Sequence, residues 1–251
     1  MDIAIITVLG LILGSFATAL IYRIPRDLPW RGATRSACPH CKHVLSPRDL
    51  IPFFSWLVMR GKCRYCGAKI AWVYPLAELG VVFACLGVFA AAGLTPISIF
   101  IILAVPILAA LLTIDLEYFI LPNELVAILA CLGLMEAGVE IFYAHDIMTA
   151  RVFIIEYALG AIIYAGLAWA LGIAMTKILK RDALGFGDVK FFAVAGLWLG
   201  LSNLAYFCVL SGALGVILGF FWKTVKRDDV FPFGPALIMS FYLLLIFSVH
   251  S

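Results

Sequence analysis

Apolar runs recur along almost the whole chain, at about 3–22, 74–93, 97–114, 121–143, 151–175, 189–201, 203–222 and 232–249. A run of about 20 apolar residues is long enough to cross a bilayer as a helix. Inside lipid the backbone has no water to bond to, and a helix satisfies its own N–H and C=O groups within one segment. The pattern therefore predicts an all-α integral membrane protein with about eight transmembrane helices, of which 189–201 is the short one. Turn and breaker residues separate the runs: GLTP at 93–96, LPNE at 121–124, LGFGD at 184–188, GLS at 200–202 and FPFGP at 231–235. Composition agrees. Of the 251 residues 65% are hydrophobic and 13% charged, where a soluble domain is nearer half apolar and a quarter charged.

The only long polar segment, 23–73, holds ten of the eighteen basic residues. A cleavable signal would carry basic residues ahead of a shorter apolar core. Here Asp2 precedes the first run, and Arg23 and Arg26 follow it. This order predicts a retained first helix with its N-terminus outside. Eight spans starting from outside put 23–73, 115–120, 176–190 and 223–231 on the cytoplasmic side, and those segments hold seventeen of the eighteen basic residues, all but Arg151. The expected organisation is a first transmembrane helix over 1–22, a cytoplasmic loop domain over 23–73 and a seven-helix membrane core over 74–251.

Two acids then stand out. Asp115, in LLTIDLEYFILP (111–122), follows the third span, and Asp188, in LGFGDVKFF (184–192), precedes the sixth. The topology puts both at the cytoplasmic boundary, where a charge next to lipid is costly and calls for a role. Two carboxylates held close together share a proton. The ionised one can activate a water, and the protonated one can polarise a carbonyl and then protonate a leaving amine, which is peptide hydrolysis without a metal. The glycines of GFGD allow close backbone approach beside the acid. The plain alternative is that both are boundary acids, with Asp188 a helix cap. Glu117 rivals Asp115 at similar depth. Glu78 reads as a packing or site-lining group and Glu156 as structural. Lys190 reads either as a partner for Asp188 or as a marker of the cytoplasmic edge.

Seven cysteines are present, and four of them form CPHC (38–41) and CRYC (63–66), with twenty-one residues between the pairs. Two such knuckles complete a tetrahedral site, so the spacing predicts a structural zinc on Cys38, Cys41, Cys63 and Cys66. Gly67 suits the second knuckle turn. The competing reading is disulfides or a redox pair, and a cytoplasmic location argues against stable disulfides. His40 and His43 are alternative ligands. A metal would supply much of the stability of so small a lobe. LIPFFSWLVMRG (50–61) is expected to pack on the membrane core or lie along the interface. Cys85, Cys131 and Cys208, in apolar runs, read as small core residues.

Several motifs follow in order along nearly the whole chain: GSFATALIYRIP (14–25), IPFFSWLVMRGKCRYC (51–66), YPLAE (74–78), DLEYFILPNEL (115–125), GFGDVKFFAVAGLWLG (185–200) and FPFGP (231–235). Together they resemble the type IV prepilin peptidases, members of the GxGD aspartic proteases. GxGD also occurs in presenilin-type proteases; the cysteine pairs and PFGP favour the prepilin branch over those and over archaeal preflagellin peptidases. The resemblance implies an endopeptidase of the bacterial inner membrane. It would cut the short basic leader of prepilins and pseudopilins, in type IV pilus and type II secretion systems, at the cytoplasmic face. The family's catalytic aspartates fall on Asp115 and Asp188. The cysteine-bearing loop implies a second activity, N-methylation of the new amino terminus with S-adenosylmethionine. No Rossmann-type glycine fingerprint is present, so the donor would be bound by the 23–78 region in another way. Asn123 stands where many relatives carry aspartate, outside the proposed pair. Lipid and the substrates are the expected partners, and no nucleic acid is.

Two other classes compete. A transporter using Asp115, Asp188 and Glu78 as an ion path would spread its acids through membrane depth, whereas the two aspartates lie on one side. A zinc-stabilised scaffold would keep its function in Asp115→Ala or Asp188→Ala.

Overall fold

The computed structural model describes residues 2–30, 35–144, 146–180, 184–226 and 231–248. Among them the helices are α1 (Asp2–Arg23), α2 (Phe54–Val58), α3 (Val73–Ala92), α4 (Pro96–Tyr118), α5 (Asn123–Tyr143), α6 (Ile147–Leu179), α7 (Phe186–Leu199), α8 (Leu204–Lys226) and α9 (Gly234–Ser248). Every apolar run is a helix. Six of these (α1, α3, α4, α5, α6 and α8) are long and apolar enough to cross a membrane. The other two are shorter, α7 with 14 residues and α9 with 15. At 1.5 Å per residue such helices span about 21–23 Å, less than the roughly 30 Å hydrocarbon core. The expectation of about eight spans thus becomes six full-length helices and two short ones. α6 departs the other way. It runs for 33 residues and outreaches its apolar run at both ends.

The ends are written locally. Thr95 caps α4 by accepting the Ser98 N–H at 3.1 Å, and Pro96 follows at the first helical position. Asp146 caps α6 by accepting the Thr149 N–H at 2.8 Å. α4 stops where Phe119 turns left-handed, with φ 58°, and donates its N–H to the Asp115 carbonyl at 3.0 Å. That stop leaves Asp115 in the last turn of the helix.

α4 is the central helix, 67% of its apolar window being buried, whereas α6 and α8 are outermost at 17% each. α4 packs against α1, α3, α5 and α9, and α7 packs against α5, α6 and α9. Ile101, Leu111, Ile114, Leu125, Leu129, Phe191 and Phe241 fill the space between them. The Tyr242 hydroxyl ties α9 to α3 by donating to the Ala84 carbonyl at 2.8 Å.

α6 and α7 cross backbone to backbone at Gly160 and Gly196. A Cβ on Gly196 would lie 2.5 Å from the Gly160 carbonyl carbon and 2.9 Å from the Ala161 nitrogen. Small residues at such a crossing let membrane helices approach closely. Gly196→Ala is therefore expected to destabilise the bundle by about 1–3 kcal/mol, the usual range for overpacking. The thermal unfolding midpoint in detergent measures this, and an unchanged midpoint would rule the close crossing out.

Candidate active site and metal centre

Four chain segments converge at one end of the bundle. Asp115 lies in the last turn of α4 and is only 5% exposed. The backbone of Gly234, the first residue of α9, lies against its carboxylate: a Cβ there would come within 2.5 Å of Oδ2. The Gly234 amide approaches the carboxylate, yet Oδ2 itself has no hydrogen-bond partner. Asp188 is half-buried in the first turn of α7. Its Oδ2 accepts the Gly185 N–H at 3.2 Å, the return half of a capping box. Capping thus holds the side chain in place without using up both oxygens.

The two carboxylates are close enough to feel each other's charge. Leu121, in the α4–α5 link, packs between their supports. A Cβ on Gly187 would lie 3.1 Å from Leu121 Cβ, and one on Gly234 would lie 3.3 Å from its Cδ2. The N-termini of α7 and α9 both face the pair, where helix dipoles favour negative charge. A partner-free oxygen on a buried acid, beside a second acid, is an arrangement able to hold one proton between two carboxyls and move it.

The rival acids are placed elsewhere. Glu117 is exposed and lies on the side of Tyr74. Glu78 accepts the Phe53 N–H at 2.6 Å, which ties the loop segment to α3. Glu156 Oε1 accepts the Ser202 N–H at 2.8 Å, the structural role expected of it. Lys190 does not pair with Asp188: its Nζ donates to Asn123 Oδ1 at 2.7 Å and sits 4.6 Å above the Phe186 ring. From the start of α7 it reaches across to the first residue of α5. Cys85 is buried as expected, but Cys131 is exposed on α5. Gly234 was legible only as part of a chain break; nothing local links FPFGP to Asp115.

The four cysteines of the two pairs do come together. All four Sγ atoms lie within 4.8 Å of one another, and Cys38 Sγ and Cys66 Sγ are 3.8 Å apart. Zn–S bonds of about 2.3 Å in a tetrahedron put sulfurs about 3.8 Å apart, so the cluster fits such an ion. The knuckles are built alike. Cys38 N–H donates to His43 O at 3.0 Å and Lys42 N–H to Cys38 O at 2.9 Å; Cys63 N–H donates to Ala68 O at 2.8 Å and Gly67 N–H to Cys63 O at 2.9 Å. The residue after each pair is left-handed, Lys42 at φ 58° and Gly67 at φ 71°. His43 is not a ligand here; its ring lies 3.6 Å from that of Tyr65.

The thiols differ in acidity. The Cys41 and His40 amides outweigh burial and bring Cys38 down to about 6. At Cys66 the Ala68 amide favours the thiolate, but burial and the three neighbouring thiols prevail and push it up to about 11. Four thiolates cannot gather without a cation, so metal binding near neutral pH releases protons and weakens as the pH falls. Asp49 braces the lobe. It accepts from Ser46 N–H and Oγ at 3.0 and 2.7 Å, from Arg64 Nε at 2.8 Å and from the Tyr65 hydroxyl at 3.0 Å. Ser46 first and Arg64 next hold its carboxyl well below the usual range. A depressed carboxylate stabilises the fold above its unfolded pKa, so this brace is lost on strong acidification.

Comparison with known proteins covers most of the chain. The family model for the Bacterial Peptidase A24 N-terminal domain matches residues 8–92, and that for the Type IV leader peptidase family matches 99–220. A Bacillus subtilis (strain 168) protein named prepilin leader peptidase/N-methyltransferase is 34% identical over 98% of this chain and 94% of its own length. An Escherichia coli O78:H11 protein named type 4 prepilin-like proteins leader peptide-processing enzyme is 34% identical over 96% and 94%. A Pectobacterium carotovorum protein with the same name as the first is 31% identical over 93% and 88%. No solved structure matches.

Proposed function

The chain belongs to the type IV leader peptidase family, and from that premise we propose that it removes the leader of type IV prepilins or pseudopilins and methylates the new amino terminus. Asp115 and Asp188 are the catalytic pair. One carboxylate activates the attacking water. The other, protonated, polarises the scissile carbonyl and then protonates the departing amine. The observation that supports this reading is that Asp188, in the first turn of α7, is close enough to Asp115, in the last turn of α4, to feel its charge, with Leu121 packed against the glycines beside both, while Glu117 is exposed.

Charge and topology support an active site at the cytoplasmic side of the bacterial inner membrane, where a prepilin helix in the bilayer would present its leader. The parts of the chain are the first helix (1–22), a cytoplasmic loop domain (23–73) and a seven-helix peptidase core (74–251). Cys38, Cys41, Cys63 and Cys66 hold a structural zinc, which supplies folding energy to the loop domain. S-adenosylmethionine is the methyl donor.

The test uses the purified chain, a model prepilin and mass spectrometry, with and without S-adenosylmethionine. Loss of the leader in both arms, and gain of one methyl group only with the donor, is the expected result. An intact substrate in both arms sinks the reading. Gly234→Ala is a finer check: its Cβ, 2.5 Å from Asp115 Oδ2 in the present geometry, would displace the carboxylate. A misplacement of about 1 Å costs on the order of 100-fold in rate. Gly234→Ala should therefore slow cleavage while leaving zinc content unchanged.

A further inference from the structure

A second acidic place lies at the opposite end of the bundle. A cavity of about 350 Å³ is lined there by the start of α4, the second half of α5, the first turns of α6 and the end of α7. The length of α4 separates it from Asp115 by about 20 Å. Glu136, Glu140 and Glu156 all face this cavity, and no Lys, Arg or His is among its described lining residues.

Two of the three acids have partners. Glu140 accepts from the Tyr157 hydroxyl, and Glu156 from the Ser202 N–H at 2.8 Å. Glu136 is within side-chain hydrogen-bond reach of Glu140, yet it is 5% exposed and its Oε2 has no hydrogen-bond partner. A buried polar atom left unpaired is costly, and acids within membrane helices are rare without a counter-charge. Three acids with no cation among the described lining residues leave a place for a positive group from outside the chain.

The geometry selects the kind of cation. Among the described residues only the four cysteine thiols converge within 4.8 Å, so the three glutamates do not enclose a bare metal ion. A primary ammonium presents three N–H donors spread around one charge. The remaining walls suit it too. Phe153 stacks on Tyr157 with ring centroids 6.3 Å apart, and Trp198 also lines the space; aromatic faces attract ammonium groups. The volume is in the range of small-molecule sites, larger than a single ion needs.

We propose that this cavity binds a primary ammonium group, as carried by an ethanolamine phospholipid headgroup or by a free amine, with Glu136 as its principal acceptor. The full chain, delipidated in detergent, is titrated with soluble ethanolamine. It is also placed in nanodiscs of phosphatidylethanolamine or of phosphatidylcholine, whose quaternary nitrogen has no N–H. The readout is the rise in unfolding midpoint caused by each ligand, compared within each variant, so that a change in baseline stability does not enter.

A rise with phosphatidylethanolamine but not phosphatidylcholine, together with at least about tenfold weaker apparent affinity in Glu136→Gln, is expected. Glu140→Gln serves as the second variant. An equal rise with soluble ethanolamine assigns the site to free amines, and no rise with it assigns the site to the lipid. Equal effects of the two lipids, or ligand-induced rises that neither variant diminishes, overturn the proposal and leave Glu136 and Glu140 a carboxyl pair sharing a proton.

Discussion

Asp115→Asn and Asp188→Asn are each expected to abolish leader cleavage while leaving the bundle folded. Asparagine keeps the size of the side chain and removes the acid. At Asp188 the amide oxygen can still accept the Gly185 N–H that the carboxylate accepts at 3.2 Å, so the start of α7 should survive. At Asp115 the asparagine oxygen can keep the approach of the Gly234 amide, and the buried Oδ2 has no other partner to lose. General acid or base catalysis contributes about 10²–10⁴ in rate, and each variant should lose at least that. The double variant should lose little more, because groups that act as one unit are not additive. Single-turnover cleavage of a model prepilin measures the rates, and the unfolding midpoint checks the fold. Glu117→Gln is the control and should cut normally, since Glu117 is exposed on the other side of its helix end. If either asparagine variant cuts at the wild-type rate, that residue is not in the pair.

Removal of the metal, or Cys63→Ser, is expected to unfold the lobe between the knuckles and to stop methylation, with a smaller effect on cleavage. Structural zinc contributes about 10–16 kcal/mol of apparent binding energy, which matches or exceeds the roughly 5–15 kcal/mol stability of an ordinary domain. Among the described residues of the lobe the packing is a few rings, such as Trp56 against Trp72 at 4.0 Å, and the Asp49 brace with its ion pair to Arg64, which do not replace that. The proposed catalytic pair is supported instead by the ends of α4, α7 and α9 and by Leu121. The lobe reaches the core through Glu78, by the Phe53 N–H at 2.6 Å, and Trp30 reaches it through Glu124 at 2.5 Å. Metal analysis should find one zinc per chain. Limited proteolysis should cut the chelated protein within 38–66 and spare the native one. Retained methylation after complete chelation would remove the lobe from that reaction; equal loss of both activities would make it a support for the whole enzyme.

Much of the architecture was legible because the rules behind it are local. A run of apolar residues must be a helix in lipid, so every run was found, and Thr95-Pro96 marks where α4 starts. Length was legible only in part. The 189–201 run was expected to be short and is, but α9 also falls short of a full span and α6 exceeds its run, because helix ends follow caps and tertiary contacts as well as hydropathy. The cysteine knuckles were also legible, since C-x-x-C geometry is set within each turn, and both turns reproduce it with left-handed Lys42 and Gly67.

The pairing of partners was not legible in this way. Positive-inside counting could place Asp115 and Asp188 at one depth, but depth does not distinguish Asp115 from Glu117, two residues away. The rotation of α4 within the packed bundle does, by burying one and exposing the other. Lys190 was equally open, and the crossing of α5 and α7 gave it to Asn123. Gly234 and Leu121 became supports of the site only when α9 docked beside the end of α4. Glu136 and Glu140 share one face at i, i+4 spacing, a signal present in the chain, yet their cavity exists only where α4, α6 and α7 close around it. The sequence by itself determined the helices and the thiol cluster, because hydrophobicity and turn geometry act over a few residues. Tertiary structure alone decided which acids are buried near one another and which are exposed, because that depends on how helices far apart in the chain rotate and pack against one another.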